Sequence, residues 1–161
     1  ENVNVAVVLS NNRNVGVHGR VNKLGVPSFV FSRDEFAAGT HILEKLAEYD
    51  VCFIVLAGFM NKISDVILQA FPGNIVNIHP ALLPKYGGKG MYGMDVHEAV
   101  VKGGEREWGI SRQYINEDYD EGAIIFQASC PVLPSDTPDE VAAKVHALEY
   151  AHYPHVIESL L

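Results

Sequence analysis

The sequence predicts an α/β fold built on a doubly wound, mostly parallel sheet. Three observations carry this. Short apolar, β-rich runs alternate along the chain with stretches of helical spacing, as βαβ units require. The run VCFIVLA at residues 51–57 is unbroken apolar, as in a parallel strand covered on both faces. The strand-like run at 74–78 leads to an Asn and a His, then a Pro, then a Gly-dense loop. A sheet that ends a strand on polar side chains delivers them to its carboxyl edge, where ligands of such folds bind.

The elements follow in order. Residues 3–9 are β-rich and mostly apolar, and Ser10, Asn11 and Asn12 end the run. Residues 15–24 read as a weak helix closed by Gly25 and Pro27, and 28–31 as a short strand. Over 34–49 the spacing is helical, with Phe36, Ile42, Leu43, Leu46 and Ala47 on one face and Gly39 as an internal weak point. Ser64 caps a helix through Phe71, which Pro72 and Gly73 close. Residues 74–78 form another buried strand. Residues 94–102 read as a helix ended by Gly103 and Gly104. Residues 110–115 and 123–130 are two strands around the turn NEDYDEG. In the last helix Thr137 caps, Pro138 suits the first position and Glu140 completes a capping box. This helix is predicted to stop near Tyr153, before Pro154.

A chain of 161 residues fits one domain, expected over 1–161. It opens on ENVNVAVVLS, without Met and almost at once in a strand, so further residues are expected upstream. No stretch resembles a signal peptide or a membrane span. Cys52 and Cys130 lie far apart in sequence, which points to a reducing cytoplasm rather than a disulfide framework. The formal net charge of −8 weighs against long nucleic acid, whose affinity comes from cations on phosphates. It leaves room for a small anionic substrate held by local donors.

Asn77 and His79 are one residue apart, so in an extended chain they point to the same side. A neutral amide donor beside an imidazole suits acyl transfer: the amide meets a developing oxyanion and the His moves a proton. The plainer reading is a His that ends the strand and bonds to backbone. Asp120, in the polar turn, is able to orient that His, or simply to form an Asx-turn. His146 and Glu149 share a face of the last helix. With His152 they spell H-x-x-E-x-x-H, which would hold a metal only with further ligands such as His79 or His97; no metal is expected. The loop YGGKGMYG has neither the spacing nor the context of a phosphate-binding fingerprint and reads as a cover over a ligand.

Together these residues resemble the glycinamide ribonucleotide formyltransferases, folate-dependent enzymes of purine synthesis with a Rossmann-like fold. NIHPALLPKYGG is similar to the family's N-I-H-P-S-L-L-P-K-Y-x-G, the run Ile54 to Met60 to its V-V-L-A-G-F-M, and DYDEGAIIFQ to its D-x-x-D-x-G-x-I-I-x-Q. The likeness covers nearly the whole chain. It implies that Asn77, His79 and Asp120 are catalytic. It implies that Gly58, Phe59, Met60, Asn61, Lys62 and Ile63 line the folate pocket, and that Asp118, Tyr119, Glu121 and Gly122 form the loop holding the pterin-like ring. It assigns ribonucleotide contacts to Arg33, His146 and Glu149, with His146 where a Gln is often found. The implied reaction moves a formyl group from 10-formyltetrahydrofolate, a cosubstrate, to the amine of glycinamide ribonucleotide, without metal.

Four departures stand out. Asn61-Lys62-Ile63 replaces a basic residue followed by two apolar ones. The loop between Gly88 and Glu98 is longer than in the family. GISRQY replaces a G-T-V-H pattern, placing Gln113 where a His is expected. The family opens with a strand and a Gly-rich phosphate loop, and this chain begins after that strand-helix unit. Three alternatives remain: methionyl-tRNA formyltransferase, formyltetrahydrofolate deformylase, and a non-catalytic ligand-binding module. The expected partners are small molecules, with no nucleic acid or membrane, in a monomer or homodimer.

Overall fold

The computed structural model describes residues 3–59, 61–87, 91, 93–115 and 123–161. Their elements are β1 (Val8–Ser10), α1 (Val17–Lys23), β2 (Ser28–Val30), α2 (Arg33–Ala38), α3 (Thr40–Glu48), β3 (Ile54–Leu56), α4 (Asp65–Ala70), β4 (Ile75–His79), α5 (Met94–Lys102), β5 (Glu107–Tyr114), β6 (Ile124–Pro131) and α6 (Pro138–Glu158). The class is α/β, as the alternation predicts. The chain falls into two compact units, Glu1–Ile54 with Asn61–Ile75, and Val55–Met60 with Val76–Leu161.

In the first unit β1 and β2 pair in parallel, Val8 opposite Ser28 and Ser10 opposite Val30. The strand expected from residue 3 starts only at Val8, because β2 offers three residues to pair with. The helix expected over 34–49 is two helices. Gly39 takes a left-handed φ of 80° and closes α2. Its missing Cβ leaves room for the Ser64 hydroxyl, which any side chain at 39 would strike. Ser32 caps α2 reciprocally: the Glu35 N–H donates to Ser32 Oγ at 3.2 Å, and the Ser32 N–H donates to Glu35 Oε2 at 2.7 Å. That last bond is the main reason the Glu35 carboxyl titrates below its ordinary range. Ser64 stands at the N-cap of α4 as expected, yet its hydroxyl is buried without a partner among the described residues and makes no cap bond. Phe36, Ile42, Leu46, Ile67 and Leu68 are buried in this unit.

The larger sheet has the order β3-β4-β5-β6. It is mixed, with β4–β5 and β5–β6 both antiparallel. A short connection joins β5 to β6, and adjacent strands so joined must run antiparallel. β3 is shorter than its apolar run, and Val55 is 37 % exposed, so it is not covered on both faces as expected. Val96 and Val100 from α5 and Val141 and Val145 from α6 share a core with Trp108 and Ile110 of β5. Each such side chain, once buried, contributes roughly 1.5–3 kcal/mol. Gly109 is obligatory here, since a Cβ would enter the Ala128 carbonyl across the β5–β6 pair.

α6 begins as the sequence specifies. The Thr137 N–H donates to Glu140 Oε2 at 2.7 Å, and the Glu140 N–H donates to Thr137 Oγ1 at 3.3 Å. It does not stop before Pro154 but continues to Glu158. Pro154 lacks the N–H that would reach the Tyr150 carbonyl, and Tyr150 is open to water, so the lost bond is tolerated there. No helix among the described residues is long and apolar enough to cross a membrane.

Candidate active site

The site grows out of the end of β4. Asn77 and His79 lie on one face by strand alternation, and pairing with β5 sets Gln113 opposite Asn77 and Ser111 opposite His79. His79 closes the strand with 6 % of its surface exposed. Its Nε2 donates to the Tyr86 carbonyl at 3.2 Å. A carbonyl only accepts, so the proton resides on Nε2 and the ring orientation is set. No side-chain hydrogen bond engages the half-buried Asn77 amide among the described residues. A strand amide with no protein partner among the described residues is a donor ready for a ligand.

The loop after His79 is pinned to the sheet by two side chains the sequence reading did not single out. Ser111 Oγ donates to the Ala81 carbonyl at 2.7 Å and accepts the Leu83 N–H at 2.9 Å. Gln127 Nε2 lies 2.7 Å from Ser111 Oγ and 3.0 Å from the Leu83 carbonyl, and donates to both. Trp108 Nε1 adds a bond to the Pro80 carbonyl at 3.1 Å. Further along, Tyr86 adopts a positive φ of 53°, which a non-glycine residue enters only at a cost and which turns its carbonyl to His79. Its ring stands edge-on against Trp108, with centroids 5.1 Å apart, and its hydroxyl donates to Glu105 at 3.3 Å. Burial first, and the Glu105 charge second, push the Tyr86 phenol above its ordinary pKa. The only signal of this clamp in the sequence is a polar Ser in a buried strand.

The other expected residues are distributed as follows. Asp118, Tyr119, Asp120, Glu121, Gly122 and Met60 lie outside the described residues. Gly58 is exposed with a φ of 63°, and Phe59 is half-buried beside it. Asn61, Lys62 and Ile63 belong to the first unit, where Lys62 pairs with Asp65 at 3.8 Å and Ile63 is buried. Arg33 is exposed on the first turn of α2, also in the first unit. His146 and Glu149 are joined, Nδ1 to Oε2, at 2.9 Å on α6. His152 does not join them but packs on the Phe126 ring at 5.2 Å. Among the described residues no group of three or more His, Cys, Asp or Glu is arranged to hold a metal.

Comparison with known proteins identifies the family. Residues 1–157 match the model of the formyl transferase family. The chain is 36 % identical to the chloroplastic phosphoribosylglycinamide formyltransferase of Arabidopsis thaliana, over 99 % of this chain and 56 % of that one. It is 35 % identical to the phosphoribosylglycinamide formyltransferase of Haemophilus influenzae, over 96 % of this chain and 72 % of that one. The solved structure of the Streptococcus pneumoniae phosphoribosylglycinamide formyltransferase superposes with a TM-score of 0.87 at 33 % identity, over 97 % of this chain and 86 % of that one. The chain thus spans little more than half the length of its plant relative. On these grounds, the chain belongs to the formyl transferase family.

Proposed function

We propose that this protein transfers the formyl group of 10-formyltetrahydrofolate to the amine of glycinamide ribonucleotide, a step of purine synthesis. One observation carries the reading: an Asn77 amide unengaged among the described residues shares a strand face with a His79 whose Nε2 is tied to the Tyr86 carbonyl. The amine attacks the formyl carbon and charge gathers on the formyl oxygen. Asn77 donates to that oxygen. The imidazolium of His79 donates through Nδ1, since Nε2 is committed to the loop. A preorganised donor of this kind is worth roughly 3–4 kcal/mol in the transition state. The tetrahedral adduct then collapses: the bond from the formyl carbon to the folate nitrogen breaks, that nitrogen leaves with the proton from Nδ1 of His79, and the proton lost by the attacking amine passes to Asp120, the partner of His79 in this reading, and back to His79.

The resemblance supports the remaining roles. Gly58 to Ile63 and Asp118 to Gly122 serve the folate, and Arg33, His146 and Glu149 serve the ribonucleotide. A cytoplasmic location fits two cysteines that are both free thiols. The test is turnover of 10-formyltetrahydrofolate with and without glycinamide ribonucleotide. Consumption that needs the ribonucleotide supports the transfer. Equal consumption without it makes the protein a deformylase, and none in either mixture sets the enzyme reading aside.

A further inference from the structure

Glu105 precedes β5 in the chain, far in sequence from His79, yet it holds the residue on which His79 depends. Its N–H donates to the Val100 carbonyl at 3.3 Å, which ties it to the end of α5. Each of its carboxylate oxygens takes one donor from the loop after β4. The Tyr86 hydroxyl donates to Oε1 at 3.3 Å, and Lys85 Nζ donates to Oε2 at 3.1 Å. The hydroxyl reaches Glu105 across Gly103, where a Cβ would strike it. Burial pushes the Tyr86 phenol up, so it keeps the proton that it donates.

The ion pair with Lys85 is a small matter, since Lys85 is mostly exposed and exposed pairs contribute little. The bond from Tyr86 differs, because its donor belongs to the residue whose carbonyl meets Nε2 of His79. Tyr86 sits at a φ of 53°, a conformation that persists only where surrounding contacts impose it. Trp108 meets the ring edge-on, which leaves the ring free to slide. A bond at the hydroxyl removes that freedom. A tyrosine side chain has only two torsions, so fixing its far end restrains its backbone too. The path runs from Glu105 through the Tyr86 ring to its carbonyl, and from there to the imidazole. A neutral imidazole with one N–H committed to a carbonyl carries its proton on that nitrogen, and loss of the carbonyl lets the proton divide between both.

We propose that Glu105 is a positioning residue for His79: by holding the Tyr86 hydroxyl it keeps the Tyr86 carbonyl on Nε2 and so turns Nδ1 to the reaction. Its kinetic consequence rests on the formyl-transfer reading; its structural one does not. Imidazole ¹⁵N NMR, with the ring neutral and the His79 signals identified by their absence in His79→Ala, reads the tautomer without turnover. The intact protein is expected to show the proton on Nε2. Glu105→Ala and Tyr86→Phe are expected to show both tautomers, with kcat lower by roughly tenfold and KM for 10-formyltetrahydrofolate unchanged. Glu105→Gln keeps an acceptor for the hydroxyl, and restores the Nε2 pattern and most of kcat. Tyr86→Phe removes the hydroxyl alone and decides the matter if Glu105→Ala does not fold. A tautomer unchanged in Tyr86→Phe, kcat unchanged where the tautomer shifts, or Glu105→Gln as damaged as Glu105→Ala would each overturn the proposal. If the intact protein turns nothing over, the transfer reading fails, and the spectrum alone decides whether Glu105 holds His79.

Discussion

His79 and the Tyr86 carbonyl are 3.2 Å apart, and this one bond determines which ring nitrogen is left for chemistry. The strand places His79, the positive φ of Tyr86 aims the carbonyl, and Trp108 holds the Tyr86 ring. His79→Ala is expected to lower kcat by about 10²–10⁴-fold, the range of a lost general acid-base. Asn77→Ala is expected to lower it by about 10²–10³-fold, as for a lost oxyanion donor. Binding of a folate analogue, followed by fluorescence titration, should change little in either variant. If binding falls as far as kcat, the two residues are structural.

Ser111→Ala tests the clamp. It removes the acceptor of the Leu83 N–H and the donor to the Ala81 carbonyl in a buried strand. Groups left unpaired cost about 1–3 kcal/mol, to be read from urea unfolding. Loss of kcat beyond what Asn77 and His79 explain would show that the clamp also sets their geometry.

Gly39 and Ser64 form a second testable pair. Gly39→Ala meets a left-handed φ and the Ser64 hydroxyl together, with an expected loss of roughly 2 kcal/mol or more. Ser64→Ala alone should be nearly neutral, since the hydroxyl makes no cap bond and is buried unpaired. Combined with Gly39→Ala it should restore part of the loss. Strict additivity in denaturant unfolding would contradict the contact.

His97 gives a pH dependence. It is 3 % exposed on α5, and its Nδ1 has no partner among the described residues. Burial first, and the neighbouring His146 of α6 second, lower its pKa from the ordinary 6.5. The unfolded chain therefore takes up this proton at a higher pH than the folded one. The full stability is present above about 6.5 and is lost as pH falls from there toward the lowered value. His97→Leu should flatten the urea-unfolding profile between about pH 5 and 7. The lowered carboxylates of Glu35, Asp136 and Glu140 act only near and below about pH 4, outside this window. An unchanged slope in the variant would show that His97 does not carry the effect.

What the sequence disclosed follows from the range of the interactions involved. The Thr137–Glu140 capping box and the helix Met94–Lys102 rest on neighbours in the chain, and both stand where the pattern puts them. That Asn77 and His79 share a face at the end of β4 was legible because strand alternation is a local rule. Gly39 was legible as a weak point but not as a full break, because Ser64, which occupies the space beside it, caps another helix. The clamp was equally hidden, since Ser111 and Gln127 reach partners 28 to 44 residues away. The mixed sheet escaped the reading because helix-strand alternation says nothing about the direction in which β5 returns beside β4.

Following a ¹³C-labelled formyl group by NMR tests the central claim most directly. The protein is mixed with labelled 10-formyltetrahydrofolate and glycinamide ribonucleotide, beside Asn77→Ala and His79→Ala controls. The expected result is label in a new amide on the ribonucleotide, formed with the intact protein and about a hundredfold or more slower in each control. Label that appears only as formate, or amide that forms at the same rate in both controls, would contradict formyl transfer at the Asn77–His79 face.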